Sequence, residues 1–179
     1  YGDHRDLHSF PTRRSSDLTI RLFTDAAIGL HGGYGAYLGS RYFYGAFPPS
    51  WSSYNIVFLE LYPIMVAVHV WGPLLWNHSI LFFTDNEALS YIINKQSSKE
   101  PVVMAAIRRL VTACLCFNIR FRAKHLSSQA NAAADALSRF QVTRFKQLVP
   151  DCQDQPTKVP GFLLPDNFFK PLNCLPKPP

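Results

Sequence analysis

The chain alternates short apolar runs with clusters of glycine, proline and polar residues, and the apolar period switches between two and the helical repeat. Thr19–Thr24 is a β-branched and apolar run that stops at Asp25, as a buried strand would. Gly32–Leu38 and Tyr42–Phe47 are glycine- and aromatic-rich runs, close enough to form a meander with the first, and Pro48-Pro49-Ser50 closes the unit as a loop. A helix is predicted over 59–71. Proline is tolerated in a first helical turn, where N–H groups lack acceptors, so Pro63 places Glu60 at the helix N-terminus, and Gly72-Pro73 ends the helix. Ser79–Thr84 reads as a fourth strand that again ends at an aspartate, Asp85. Asn86–Asn94 reads as a short helix, Lys95–Glu100 as a polar loop, and Pro101–Cys116 as an amphipathic helix with Arg108 and Arg109 on its wet face. Phe117, Ile119, Phe121 and Ala123 then alternate with Asn118, Arg120, Arg122 and Lys124, a fifth strand with one basic face. After the loop Leu126–Gln129, the alanine-rich run Ala130–Phe140 is a final helix, with Gln141–Leu148 as a possible extension.

These elements make one domain over 19–140. Residues 1–18 carry no hydrophobic period; the run from Phe10 to Leu18 resembles a translated sequencing adapter, and the segment reads as a non-native or disordered leader. Eight of the 14 prolines fall between Pro150 and Pro179, so 141–179 reads as a Pro-rich tail or linker and not as a second core.

Composition narrows the classes. A hydrophobic fraction of 47% over 179 residues excludes a disordered chain and allows one domain with a real core. The net charge of +6 fits either a basic soluble protein or a nucleic-acid binder. Cys114, Cys116, Cys152 and Cys174 have no zinc-type spacing to histidines and read as idle thiols of an intracellular protein. The most apolar stretch, Leu59–Trp76, is interrupted by Glu60, Pro63, His69 and Gly72-Pro73, and no secretory signal is visible, so a cytoplasmic or nuclear location without a membrane span is expected.

Acids are scarce where the pattern is clearest. Thr19–Phe140 holds six, against ten basic residues. Asp25 and Asp85 both follow an apolar strand in the phrase Phe-Thr-Asp, and strand C-termini are where ligand groups collect in open α/β sheets. Glu60 and Asp135 arrive from helices among apolar or alanine neighbours. Such an aspartate can be a mere cap or turn residue. Four carboxylates brought together would repel unless a cation lay between them, and oxygen-only ligands favour Mg²⁺ or Mn²⁺.

The order three strands, helix, strand, helices, strand, helix is that of the ribonuclease H fold, and the phrases carrying the resemblance are Leu22-Phe23-Thr24-Asp25, Leu59-Glu60-Leu61, Phe82-Phe83-Thr84-Asp85-Asn86, His125 and Ala134-Asp135-Ala136-Leu137-Ser138-Arg139. The last of these, with the ten-residue spacing of His125 and Asp135, resembles ribonuclease H domains of retrotransposon polyproteins. Trp71-Gly72-Pro73 and Thr84-Asp85-Asn86-Glu87-Ala88 look closest to DIRS-type elements. Two departures stand out: Leu126-Ser127-Ser128 replaces the family's Pro-Gly after the histidine, and the chain is too short before Pro101 for the extra basic helix of some cellular relatives.

The resemblance implies a ribonuclease H-like α/β fold, a five-stranded mixed sheet flanked by helices. It implies a metal-dependent endonuclease cutting the RNA strand of RNA–DNA hybrids beside a reverse transcriptase, with two Mg²⁺ ions (Mn²⁺ as substitute) held by Asp25, Glu60, Asp85 and Asp135, and His125 assisting proton movement. A catalytically inactive binding or connection module is the alternative. Arg120, Arg122 and Lys124 read equally as a phosphate-facing strip or as a solvated edge that deters strand pairing. Asn86 reads as a hybrid contact or as a helix cap.

Overall fold

The computed structural model describes residues 19–29 and 32–170, so the expectation for residues 1–18 lies outside the described residues. The elements run β1 (Ile20–Ala26), β2 (Gly33–Leu38), β3 (Arg41–Ala46), α1 (Ile56–Trp71), β4 (Ser79–Thr84), α2 (Glu87–Lys95), α3 (Pro101–Cys116), β5 (Arg120–His125), α4 (Ala132–Ser138) and α5 (Val142–Leu148). The strands form one sheet in the order β3-β2-β1-β4-β5. The meander β1–β2–β3 is antiparallel, whereas β4 runs parallel to β1 and β5 parallel to β4. This is the expected five-stranded mixed sheet.

Two cores lie on opposite faces. On one, the inward residues Leu22, Ala36, Phe43, Ile80 and Phe82 meet α1, α2 and α3. On the other, α4 and α5 lay Ala133, Ala136, Leu137 and Phe145 over Tyr42 and Tyr37 of the meander. Among the described residues only the meander half of that second face is covered, since α4 packs on β1, β2 and β3.

The central helix differs from expectation. It begins at Ile56, one turn earlier, because Asn55 caps it by accepting from the Val57 N–H at 2.9 Å. Glu60 therefore sits in its second turn, and Pro63 lies inside the helix, leaving the Leu59 carbonyl without its usual intrahelical donor. Neither interruption stops the helix, because it is apolar all round and buried almost throughout between the sheet and α3. Ile56–Leu75 has the length and apolar character of a membrane span, contrary to the reading of Leu59–Trp76, and is spent inside the fold.

Residues 141–170, expected as part of a tail or linker, strap the domain. Gln153 and Thr157 donate backbone hydrogen bonds to Ser40 and Tyr42 along the outer side of β3, at 2.8 and 2.7 Å. The Tyr62 hydroxyl donates to the Leu163 carbonyl at 2.6 Å, Phe168 wedges between Trp51 and Phe58, and Arg109 donates to the Phe168 and Lys170 carbonyls. Proline suppresses helix and central strand, not packing, which is why composition alone reads this segment as loose.

Candidate active site

Topology brings the strand-end acids together. Phe23 pairs with Phe83 across the parallel β1–β4 ladder, so Asp25 and Asp85, each two residues on, emerge side by side at the same end of the sheet. Glu60 reaches the same end from α1, where its Oε2 accepts from the buried Thr84 hydroxyl at 2.8 Å. Asp135 arrives from α4 on the opposite face.

The approach of α4 depends on Gly35. Asp25 pairs with Gly35 in the β1–β2 ladder, and a Cβ there would stand 2.4 Å from Cβ of Leu137 and 2.9 Å from the Ser138 nitrogen. With no side chain in the way, Ser138 reaches the sheet. Its hydroxyl lies 2.5 Å from Asp25 Oδ2 and 2.9 Å from the Asp135 carbonyl, so one proton serves two acceptors.

The other acids are also held. Asp85 Oδ2 accepts from the Ser128 hydroxyl at 2.9 Å, in the loop where the family's Pro-Gly is missing. Asp135 is gripped from two sides, by Arg139 Nε at 2.6 Å and by Arg144 at 3.3 Å, both largely exposed. Asn131 ties the α4 end to β1 by donating to the Thr24 carbonyl at 3.0 Å.

Electrostatics marks this cluster off from the surface. Burial pushes the Asp25 carboxyl up to about 7, the Ser138 hydrogen bond opposes this, and the charges of Asp85 and Asp135 add to it. Burial likewise raises Glu60 to about 7 against its Thr84 hydrogen bond, with Asp85 and Asp25 as like-charged neighbours. All four carboxylates therefore belong to one electrostatically interacting set.

As a donor set the four acids fit a hard divalent cation: every ligand is oxygen, and two of them are destabilised as anions by burial and by one another. Among the described residues no three acidic, histidine or cysteine side chains yet close on a common point. Asp135 is the member most clearly held elsewhere, and it would have to exchange Arg139 and Arg144 for the ion.

His125 ends β5 opposite Thr84, exposed at the same end of the sheet. Asn86 is the cap of α2, its Oδ1 accepting from the Leu89 N–H at 3.0 Å. Arg120, Arg122 and Lys124 are exposed on β5, an edge strand whose outer backbone is bonded at Ala123 by the Asn94 side chain of α2, and Lys124 is the one of the three nearest the acids. The sequence reading passed over Thr84, Ser128, Arg139, Arg144 and Ser138 as site residues. The spacing i+3 and i+4 from Asp135 would have found Ser138 and Arg139, since those offsets share a helix face.

Comparison with known proteins agrees with this architecture. An RNase H1 from the halophilic archaeon Halobacterium salinarum superposes with a TM-score of 0.57 at 13% identity, over 70% of this chain and 98% of that one. The N-terminal RNase H domain of a Mycobacterium tuberculosis protein, solved as a fusion with maltose-binding protein, gives 0.58 at 12% identity, over 74% and 99%. Likeness at such identity is likeness of fold. No curated protein matches the chain. The family model for the RNase H-like domain found in reverse transcriptase matches residues 15–112, which span Asp25, Glu60 and Asp85 and stop short of His125 and Asp135. The chain belongs to the family of RNase H-like domains found in reverse transcriptase.

Proposed function

We propose that this domain is the ribonuclease H of a retroelement reverse-transcription polyprotein, an endonuclease that hydrolyses the RNA strand of RNA–DNA hybrids with Mg²⁺ or Mn²⁺. The observation that carries the reading is the convergence of Asp25, Glu60, Asp85 and Asp135 at one sheet end, with two of them raised by burial and mutual repulsion. Asp25, Asp85 and Asp135 would hold ions together with Glu60, which reaches the same sheet end from α1. Bound there, divalent ions neutralise phosphate charge and activate water.

The chain's own groups prepare the site. The Ser138 hydroxyl fixes the Asp25 rotamer, Thr84 fixes Glu60, and Ser128 fixes Asp85, so the carboxylates are positioned before substrate arrives. His125, exposed at the rim, would carry protons between the site and solvent. Substrate choice would follow from duplex shape and 2′-hydroxyl contacts, not from base sequence.

The test is cleavage of a labelled hybrid by the folded chain in Mg²⁺ or Mn²⁺, with Asp85→Asn alongside. The proposal expects metal-dependent cutting that falls by at least about a hundredfold in the variant, the scale lost when a preorganised charge is removed. Cutting that survives unchanged in Asp85→Asn, or needs no metal, would contradict it.

A further inference from the structure

The sheet face that α4 leaves open carries a pattern the catalytic site does not use. On β5, burial alternates so that Phe121 and Ala123 face the α2 side and Arg120, Arg122 and Lys124 face the other. That is the face on which Asp25 meets Ser138. The register aligns these residues with the neighbouring strands in three rows. Arg21 of β1, Leu81 of β4 and Arg122 of β5 form one row. Phe23, Phe83 and Lys124 form the next, toward the carboxylates, and Ser79 with Arg120 forms the one beyond.

Four cations thus share one open surface. By standard strand spacing Arg21 and Arg122 lie about 10 Å apart across the sheet, and the β5 cations follow one another at about 6.6 Å. The floor between them is apolar: Phe23 stacks on Phe83 with ring centroids 4.7 Å apart, Phe83 is buried, and Leu81 is half-buried beside them. Among the described residues both ion pairs end on Asp135, so Arg21, Arg120, Arg122 and Lys124 have no carboxylate partner there. Edge protection accounts for charge on β5 but not for Arg21, which sits on the middle strand of the sheet.

We infer that this open face is a second contact surface for nucleic acid, a phosphate-binding tract that leads from Lys124 at the carboxylate end toward Arg120 at the far end. Its occupant is the backbone of a nucleic-acid strand continuous with the one at the active site, and the inference rests on the proposed function for that continuity. The recognition is by charge alone, so it is independent of sequence and weakens with salt.

The experiment uses the full chain carrying Asp85→Asn and a fluorescein-labelled RNA–DNA hybrid, with anisotropy read from about 50 to 200 mM salt. Adding Arg21→Gln and Arg122→Gln is expected to weaken binding several-fold at low salt. The slope of log affinity against log salt should drop by about 0.9 for each phosphate that is no longer neutralised. Arg108→Gln, exposed on α3 on the opposite face, should change neither. An unchanged affinity and slope in the double variant, or equal losses in Arg108→Gln, would overturn the inference. Cleavage by the unsubstituted chain reports separately on the catalytic reading. A chain that cuts but binds no worse without Arg21 and Arg122 loses only the tract. One that binds through them and never cuts loses only the catalysis.

Discussion

Asp25 and Glu60 are carboxylic acids held where water reaches them poorly and other acids reach them well. Both titrate near 7 in the fold, against ordinary values of 3.8 and 4.5, so between about pH 4 and 7 the native state binds more protons than the unfolded chain. Stability from these groups is present at low pH and is lost as pH rises through 7. Asp25→Asn and Glu60→Gln should each flatten that fall and raise stability at pH 8 by on the order of 1–3 kcal/mol, read from urea midpoints at pH 5 and pH 8. A variant no more stable than the parent at pH 8 would show that the carboxylates are not strained. On the proposed function, Asp25→Asn and Glu60→Gln would also lose metal-dependent cleavage, the usual exchange of stability for function at a site of crowded charge. The strand-end acids were legible as candidates because each follows an apolar run. Their partners were not, since a serine on a helix shows nothing in sequence of the carboxylate it will meet 113 residues away.

At the scale of elements, the site depends on how closely α4 rides on β2. Gly35→Ala would drive a methyl into Leu137 and the Ser138 backbone, so α4 must lift, taking Ser138 and Asp135 away from Asp25. Overpacking of this kind costs about 1–3 kcal/mol, and hybrid cleavage assayed well below the melting point should fall further than the stability loss explains. Activity that tracks stability alone would refute a positioning role for α4. Strands were read well because period-two runs bounded by glycine and proline have little else to become. The start of α1 was not. Pro63 argued for a late start, yet Asn55 caps an earlier one, and burial of the whole helix outweighs the lost backbone bond. The separate α5 was foreseen only as an extension of the helix before it. Phe140 takes a left-handed backbone, φ 59°, and turns the chain between the two helices, a conformation no hydrophobic period announces.

For the molecule as a whole, the segment from Gln141 to Lys170 is part of the domain. It buries Phe145, Leu163 and Phe168 and bonds along the outer side of β3, which is otherwise an unprotected edge. Ending the chain at Phe140 should lower the urea midpoint by several kcal/mol equivalent, from the roughly 1.5–3 kcal/mol per buried large apolar side chain, and promote aggregation. A fragment as stable and monomeric as the full chain would show the strap to be incidental. With β3 covered by the strap and β5 lined by cations, the β4–β5 part of the sheet face, which α4 does not cover among the described residues, leads to the acids.

The central claim is that the converging acids make a ribonuclease acting on hybrids. Its most direct test presents one sequence as RNA–DNA hybrid, duplex RNA and duplex DNA, each end-labelled, to the folded chain in Mg²⁺ and in Mn²⁺, with the reverse transcriptase portion supplied in a parallel series. The account predicts internal cuts in the RNA strand of the hybrid alone, absent from Asp85→Asn. Intact hybrid in both metals with and without the polymerase, or equal cutting of all three duplexes, would contradict it.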